Sequence, residues 1–415
     1  MTFELRRLAL AAAITLAAAA PAFAQDGNWV GTWTASAQPR WDSDFPVPIG
    51  MPGNFWNQTL RQVARVSIGG AAARIELSNE YGDHPVTISV ASIALTDDGA
   101  AIDDGTAIPL SFGGAPLITI PPGAVVLSDA ATLDIPALSE VSVSLFFEGV
   151  APASTVHWDG HNTAYVAQGD QTAAADFPDD AISMTQRAFL TEIMVDAPED
   201  TTAVIAFGDS ITDGDGSSID GNDRWPDVLA RRLVEAGHSV AVQNQGISGA
   251  KVLSDRMGTN ALARFERDVL SQDDATAVLV MIGINDIGWP GTGLAPDDTP
   301  VTADQIIAGH KQLIARAHAN GLKVYGATLT PFRDSFAGTP FEGYWTEEKE
   351  AMRLAVNAFI RSGAYDGVVD FDKVVEDPAT PGAILPAFDK GDHLHPNAAG
   401  YQAMGESIDL DMILN

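Results

Sequence analysis

Hydrophobic and polar positions follow different rhythms in the two halves of the chain. From Asn28 to about Val195, apolar and polar residues alternate over short runs that are broken by Gly, Pro, Asp and Asn. The clearest alternating sets are Ala64, Val66 and Ile68; Val86, Ile88 and Val90; and Val141, Val143, Leu145 and Phe147. Because successive side chains of a strand point to opposite faces, this half is predicted to be an all-β sandwich or jelly-roll-like domain with one face buried and no helix.

In the second half the alternation gives way to continuous apolar runs that are separated by helical patterns. The runs predict strands near 203–207, 240–244, 277–282, 323–328 and 367–370. Helical patterns lie near 226–236, 302–320, 345–362 and 398–414. This alternation predicts a doubly wound α/β domain with about five parallel strands. The polar segment 196–200 contains a proline and is the expected boundary, which gives domains at 25–196 and 197–415.

The first 24 residues have the pattern of a secretory signal peptide. Arg6 and Arg7 precede an apolar run over 8–20, and Ala22-Phe23-Ala24 is a small-x-small cleavage site. The run is shorter than the roughly 20 residues that a membrane-spanning helix needs. We therefore expect cleavage near Ala24, a mature chain that begins near Gln25, and a secreted or periplasmic protein without membrane insertion.

Composition narrows the possible partners. The chain has 415 residues, no cysteine and a formal net charge of −32. Loss of the signal peptide, which carries two arginines and one glutamate, would change this charge to −33. Such acidity argues against nucleic acids and anionic membranes as partners, and it is compatible with a saline habitat or with ordinary solubility. Thiol chemistry and cysteine metal sites are excluded, so stability must come from buried cores.

Ser210 is a candidate nucleophile because it lies just past the buried run 203–207, at the edge of the sheet where open α/β folds bind ligands. A serine hydroxyl needs a base to remove its proton. Asp392-His393-Leu394-His395-Pro396 supplies one: Asp392 can fold back in one turn to accept the Nδ1 proton of His395, which leaves Nε2 free.

Two further segments follow strand-like runs and offer hydrogen-bond donors. They are Asn244-Gln245-Gly246-Ile247-Ser248-Gly249 and Gly283-Ile284-Asn285-Asp286. A glycine amide and an asparagine carboxamide at the ends of neighbouring strands are suited to stabilise a developing oxyanion. The alternative for Asn285 is a simple turn, because Asn and Asp bond their own backbone after strands.

The segments around Ser210, Gly246, Asn285 and His395 form four sequence blocks. Together these blocks resemble the SGNH, or GDSL-type, hydrolase family. The blocks read F-G-D-S-I-T-D-G, N-Q-G-I-S-G, I-G-I-N-D and D-H-L-H-P, in the order of the family. The resemblance implies a flavodoxin-like catalytic domain without a cofactor or metal. It assigns the four signature positions to Ser210, Gly246, Asn285 and His395, with an oxyanion hole formed by the amides of Ser210 and Gly246 and the side chain of Asn285.

The N-terminal half is similar to long bacterial members related to xylan esterases and arylesterases. This likeness is carried by Trp29-Val30-Gly31-Thr32-Trp33, the segment 61–66 and Leu77-Ser78-Asn79. It implies a secreted serine esterase that cleaves esters of small acyl groups, such as acetylated polysaccharide or aryl esters, through an acyl-enzyme on Ser210. The alternatives are a lipase, thioesterase or acyltransferase on the same scaffold, or a glycan-binding protein.

Several residues have simpler interpretations that remain open at this point. Ser210 could be a helix N-cap, and Asp209 and Asp213 are expected to bond only local backbone. His393 is expected to be exposed or to line the cleft. The histidines lack metal-ligand spacing such as H-E-x-x-H. The segment 157–162, His-Trp-Asp-Gly-His-Asn, could form an aryl or sugar contact surface or pack between the domains.

Overall fold

A computed structural model describes residues 27–41, 45–272, 274–293 and 295–414. The expected signal peptide, residues 1–24, lies outside the described residues. Within them, the chain up to Asp196 is built from antiparallel strands and contains no helix, as the alternating pattern predicts. Among the described residues no helix is long and apolar enough to cross a bilayer.

The N-terminal half contains two main antiparallel sheets. The five-stranded sheet consists of Trp29–Thr34, Gly70–Ser78, Val125–Leu127, Ala131–Ile135 and Leu190–Asp196. The six-stranded sheet consists of Gln58–Arg65, Val90–Leu95, Ile108–Pro109, Glu140–Phe147, Ala164–Gln168 and Ile182–Met184. Smaller sheets are formed by Gln38–Pro39, Thr155–His157 and Arg187–Ala188; by Asn54–Phe55 and Ala151–Pro152; and by Val86–Ile88 and Ile118–Ile120. Both main sheets contribute to one hydrophobic cluster.

The expectation that only one face of this half is buried is wrong for the middle of the six-stranded sheet. Val141, Val143 and Leu145 point into the core, but Ser142 and Ser144 on the opposite face are also buried. The cause is Arg61, whose guanidinium bonds Ser144 Oγ and the carbonyl oxygens of Ala100, Gln171 and Ala174. These bonds hold two loops over the face that alternation alone leaves to solvent.

The C-terminal half contains a five-stranded parallel sheet. Its strands are Thr202–Gly208, Val240–Gly246, Ala275–Met281, Lys323–Ala327 and Gly367–Val369. Numbered along the chain, their order is 2-1-3-4-5, the flavodoxin-like order. The predicted strands and their parallel pairing are confirmed.

Helices cover both faces of the parallel sheet. They are Ser210–Asp213, Trp225–Glu235, Ala261–Phe265, Ile284–Gly288, Ala303–Ala319, Glu347–Ile360, Phe371–Val375, Ala398–Ser407 and Leu410–Leu414, with a π-helical turn at Glu266–Leu270. Alternate residues of the first strand enter different clusters: Ile205 and Phe207 pack on one face, and Val204 and Ala206 pack on the other. The helical pattern at 398–414 is interrupted after Ser407, so it forms two helices.

Candidate active site

Ser210 is the first residue of a short helix at the carboxyl end of the first parallel strand. The N-cap of this helix is Asp209, whose Oδ1 accepts a hydrogen bond from the Ile211 amide at 3.2 Å. The alternative that Ser210 itself caps the helix is therefore wrong. Because Asp209 satisfies the local backbone, the Ser210 hydroxyl is left for another partner.

That partner is His395. Ser210 Oγ lies 2.8 Å from His395 Nε2, and His395 Nδ1 lies 2.7 Å from Asp392 Oδ2. The other oxygen of Asp392 accepts the amides of Leu394 and His395, both at 2.9 Å. The tight turn that the Asp-x-x-His spacing predicts thus fixes the carboxylate against the imidazole. His393 is half-exposed and pairs with Asp389 instead.

A second carboxylate, which the sequence did not suggest, also faces this histidine. Asp215 Oδ2 lies 3.3 Å from His395 Nδ1. The ammonium of Lys390 contacts Asp215 and lies 3.6 Å from Asp392 Oδ2. Ligand atoms of Asp215, Asp392 and His395 are close enough to hold a cation, but Lys390 already supplies positive charge to both carboxylates. The expectation of no metal remains a prediction.

These charges shift the pKa values at the site in opposite directions. Burial alone would lower the pKa of His395, but Asp215 and Asp392 outweigh it, so the pKa is raised above the ordinary value of 6.5. Burial alone would raise the pKa of Asp392, but the charge of His395 and the hydrogen bonds to the carboxylate hold it well below its usual range. Beneath the nucleophile, burial raises the pKa of Asp209 to about 7.

Asn285 presents a carboxamide in a fixed orientation. It lies in the short helix that follows the third parallel strand, and it is buried. Its Nδ2 donates to the carbonyl oxygen of Ala250 at 3.0 Å, and its Oδ1 accepts the hydroxyl of Tyr344 at 2.8 Å. A carbonyl can only accept, so these bonds define which end of the amide is the donor. Among the described residues no acceptor bonds the second Nδ2 hydrogen, so it is available to a ligand.

The sequence assigned Gly246 to the oxyanion hole, but the structure places Gly249 there instead. Gly246 ends the second parallel strand, and its amide donates to Asn244 Oδ1 at 2.9 Å. A Cβ at Gly246 would lie 2.2 Å from the backbone nitrogen of Asp213, so glycine is needed there for close packing. Gly249, three residues later, lines the cavity that contains Ser210, and it has a φ of +77°. The structure thus brings together Ser210, Asn285, His395 and Gly249, but not Gly246.

This cavity is small and apolar. It has a volume of about 180 Å³. Besides the polar groups above, its walls are mainly aromatic and aliphatic: Val47, Trp158, Met257, Trp289, Phe336, Phe341, Tyr344 and Leu394. Two of these side chains, Val47 and Trp158, come from the β half. The N-terminal domain therefore forms part of the wall beside the candidate nucleophile.

A second, larger cavity does not combine a serine with a base in this way. Its volume is about 590 Å³, and it lies between the two halves. Its walls include Trp29, Arg74, Glu76, Glu80 and Arg267, without any histidine among the described residues that line it. The smaller cavity is the candidate active site because it contains the hydrogen-bonded Ser210 and His395.

The segment 157–161 of the β half is hydrogen-bonded to Asp213 and to the loop that carries Gly249. His157 Nε2 lies 2.9 Å from Asp213 Oδ1, and Asp213 Oδ2 accepts the amide of Ser248 at 2.8 Å. Asp159 Oδ2 accepts the Ser248 hydroxyl at 2.7 Å, and its other oxygen lies 3.1 Å from His161 Nε2. The expectation that Asp213 bonds only local backbone is wrong, because it links two domains. The two histidines pack between the two halves, as one interpretation predicts. Trp158 lines the cavity, and its role as an aryl or sugar contact stays a prediction.

A comparison with protein families matches the C-terminal half. The parallel sheet of order 2-1-3-4-5, with a cavity at its carboxyl edge, defines a doubly wound α/β domain. A family model described as GDSL-like Lipase/Acylhydrolase matches residues 204–408. These residues form a domain of that family, which confirms the resemblance read from the four blocks. The likeness of the N-terminal half to longer members lies outside this match and stays a prediction.

Similar solved structures also cover about half of the chain. A lipase/acylhydrolase from Enterococcus faecalis is 20% identical, covers 50% of this chain and 93% of its own, and has a TM-score of 0.39. An aryl esterase from M. smegmatis is 20% identical, with coverages of 49% and 95% and a TM-score of 0.37. The acetyl xylan esterase AlAXEase is 19% identical, with coverages of 49% and 96% and a TM-score of 0.36. No curated protein matches the chain.

Proposed function

We propose that this protein is a serine esterase that hydrolyses carboxylic esters through an acyl-enzyme on Ser210. The observation that carries the proposal is the continuous hydrogen-bond chain from Ser210 Oγ through His395 to Asp392. In the first step the Ser210 oxygen attacks the carbonyl carbon while Nε2 of His395 takes the hydroxyl proton. His395 then returns this proton to the departing alcohol. Water, activated by the same nitrogen, releases the acid and regenerates Ser210.

The proposed oxyanion hole consists of the Ser210 and Gly249 amides with the Asn285 side chain. Neither of these amides donates to another group within the part of the chain that the structure describes. The Asn285 carboxamide is held on one side by Ala250 and on the other by Tyr344. Such prearranged donors favour the charge that develops on the carbonyl oxygen in the transition state.

The apolar cavity favours an aryl ester of a short acid over a hydrated sugar ester. Burying polar hydroxyl groups without hydrogen bonds is costly, and the walls beside Ser210 are largely aromatic. Three aromatic contacts fix the wall contributed by the β half. The ring centroids of Trp41 and Trp158 are 5.9 Å apart, those of Trp41 and Phe45 are 5.5 Å apart, and those of Phe45 and Trp289 are 6.2 Å apart. Acetylated polysaccharide and long-chain lipids are the alternative substrates, and residues 1–24 support export of the mature protein.

Substrate selectivity tests this proposal. Rates would be measured with p-nitrophenyl esters of increasing chain length, beside acetate release from acetylated xylan. We expect the highest kcat/KM for short acyl chains and little release from xylan. Preferential release from xylan, or a steady rise with chain length, would contradict the aryl-ester assignment.

A variant pair links this selectivity to the cavity. Trp158→Ala should lower kcat/KM for phenyl acetate more than for ethyl acetate, because only the aromatic substrate contacts the indole. Trp56, which is 66% exposed and does not line the cavity, provides the matched control. Equal losses on the two substrates in Trp158→Ala would place the aryl group elsewhere.

A further inference from the structure

Arg187 is a fully buried cation without a hydrogen-bond acceptor. It lies in the short strand Arg187–Ala188, opposite His157 of the strand Thr155–His157. None of its side chain is exposed. Among the described residues none accepts a hydrogen bond from its Nε, Nη1 or Nη2. Its Cζ lies 5.2 Å from the centroid of the Trp33 ring.

Other buried arginines of this chain have hydrogen-bond acceptors or carboxylate partners. Arg61 donates to three carbonyl oxygens and a hydroxyl, Arg264 pairs with Asp268, and Arg353 pairs with Asp372 and Glu350. Burial lowers the pKa of Arg187 to about 9, so the group is still protonated at neutral pH. A buried charge normally requires a partner of opposite sign.

A small cavity lies against this guanidinium. Its walls include Arg187, Arg224, Trp33, His157 and Asp213, so it is formed by both halves of the chain. Its volume is about 10 Å³, room for about one water-sized species. A neighbouring cavity of about 20 Å³ shares Trp33, Thr34, Arg224 and Asn244 with it.

The charges around this cavity leave one positive charge unbalanced. Arg224 is paired with Asp227 at 2.7 Å, and His157 is paired with Asp213 at 2.9 Å. The second oxygen of Asp213 is engaged by the Ser248 amide. Asp220 and Glu140 act on Arg187 without a hydrogen bond to it, and each of them has a smaller influence on its pKa than the repulsion from Arg224.

We propose that this cavity binds a small monatomic anion, chloride, which is held by the guanidinium of Arg187 beside that of Arg224. An anion supplies both an acceptor and the missing negative charge, whereas a water molecule supplies only the acceptor. A monatomic anion is the smallest species that supplies both, so it fits this small space better than a polyatomic anion does. The ion would brace the β half against the α/β half next to Asp213, which also holds the Ser248 amide of the Gly249 loop. The site is separate from the Ser210 cavity, so it stands independently of the proposed function.

Thermal unfolding of the full chain tests the site. Sodium chloride would replace sodium gluconate at constant ionic strength, so that general screening does not change. We expect Tm to rise and saturate with chloride, by about 2–4 °C at a hundredfold excess over half-saturation. Arg187→Met should abolish the chloride dependence. Arg333→Met, which removes a half-exposed arginine that does not line the cavity, should retain it.

A second measurement uses the unaltered protein, so the proposal is tested even if Arg187→Met does not fold. Crystals soaked in bromide should show an anomalous peak within hydrogen-bonding distance of the Arg187 guanidinium. If the chloride dependence of Tm and the bromide experiment give opposite answers, the presence or absence of the bromide peak decides whether the site binds an anion. A chloride-independent Tm with no anomalous peak, or with water alone beside Arg187, would overturn the proposal.

Discussion

At the scale of single residues, burial, two carboxylates and one ammonium determine the pKa of His395. Asp215 and Asp392 stabilise its protonated form, and Lys390 opposes them. Only the neutral imidazole can accept the Ser210 proton, so activity should rise with pH through the ionisation of His395. Because the pKa is raised, this rise should lie above pH 6.5.

Two substitutions should move this pH profile in opposite directions. Asp215→Asn removes a negative charge 3.3 Å from Nδ1, so the pKa of His395 should fall and the acid limb of kcat/KM should move to lower pH. Lys390→Met removes the opposing positive charge, so the limb should move to higher pH. Lys373→Met, at an exposed lysine paired with Asp370, is the control. Shifts of the same sign in both variants would contradict this electrostatic account.

Asn285 and Tyr344 act together in the proposed oxyanion hole. Asn285→Ala should lower kcat by about 10²–10³ with a smaller change in KM, because the donor acts mainly in the transition state. Tyr344→Phe leaves the bond from Asn285 to Ala250, so we expect a loss of about tenfold. Tyr325→Phe removes a partly buried hydroxyl bond to the Met412 carbonyl and should leave kcat unchanged. An effect of Asn285→Ala on KM alone would make Asn285 a substrate-binding residue.

Local spacing predicted part of this site and could not predict the rest. The Asp-x-x-His spacing placed Asp392 on His395 because a single turn determines that contact. Gly246 is the last residue of a strand and Gly249 follows it by three residues, and the choice between them depends on packing against Asp213 and on the shape of the cavity. Asp215 lies five residues after Ser210, but its contact with His395 and the position of Tyr344 depend on tertiary folding, so no short motif reveals them.

At the scale of elements, the segment 157–161 of the β half positions the loop of Gly249. Asp159 and Asp213 are positioning residues, because they bond Ser248 and do not contact the reacting atoms themselves. The sequence indicated an unusual segment of histidine and tryptophan. It could not indicate that Asp159 bonds Ser248, which lies about 90 residues further along the chain.

Substitution of Asp159 tests this positioning. Asp159→Ala removes the acceptor of the Ser248 hydroxyl, so kcat should fall by about tenfold while KM changes little. Asp159→Asn keeps an oxygen acceptor and should recover most of the activity. Asp179→Ala, at an exposed turn residue, is the control for a lost carboxylate. A loss of stability with unchanged kcat would limit Asp159 to a structural role.

At the scale of the whole molecule, the two halves share a polar and apolar interface. Gln243 Nε2 donates to the Gly31 carbonyl at 3.1 Å, and the Val242 amide donates to Ser67 Oγ at 3.1 Å. Asp268 accepts Ser36, Arg264 and Arg267 in one buried network. Alternation and apolar runs correctly predicted the strand types of each half, but such cross-domain bonds have no periodic signature.

This interface should make the two halves unfold together. We expect a single calorimetric transition of the mature chain, with equal calorimetric and van't Hoff enthalpies. The same temperature should mark the loss of esterase activity, since the β half holds the Gly249 loop. Two separated transitions, with activity retained after the first, would show that the β half does not support the site.

The central claim is that Ser210 is the nucleophile, and covalent labelling tests it most directly. A fluorophosphonate should add one phosphonyl group to the full-length protein, and peptide mass spectrometry should place it on Ser210. Ser210→Ala should remain folded by circular dichroism, take up no label and lose esterase activity by about 10⁶ in kcat. Labelling of another residue, or ester turnover by Ser210→Ala within about tenfold of the unaltered protein, would contradict the assignment of Ser210.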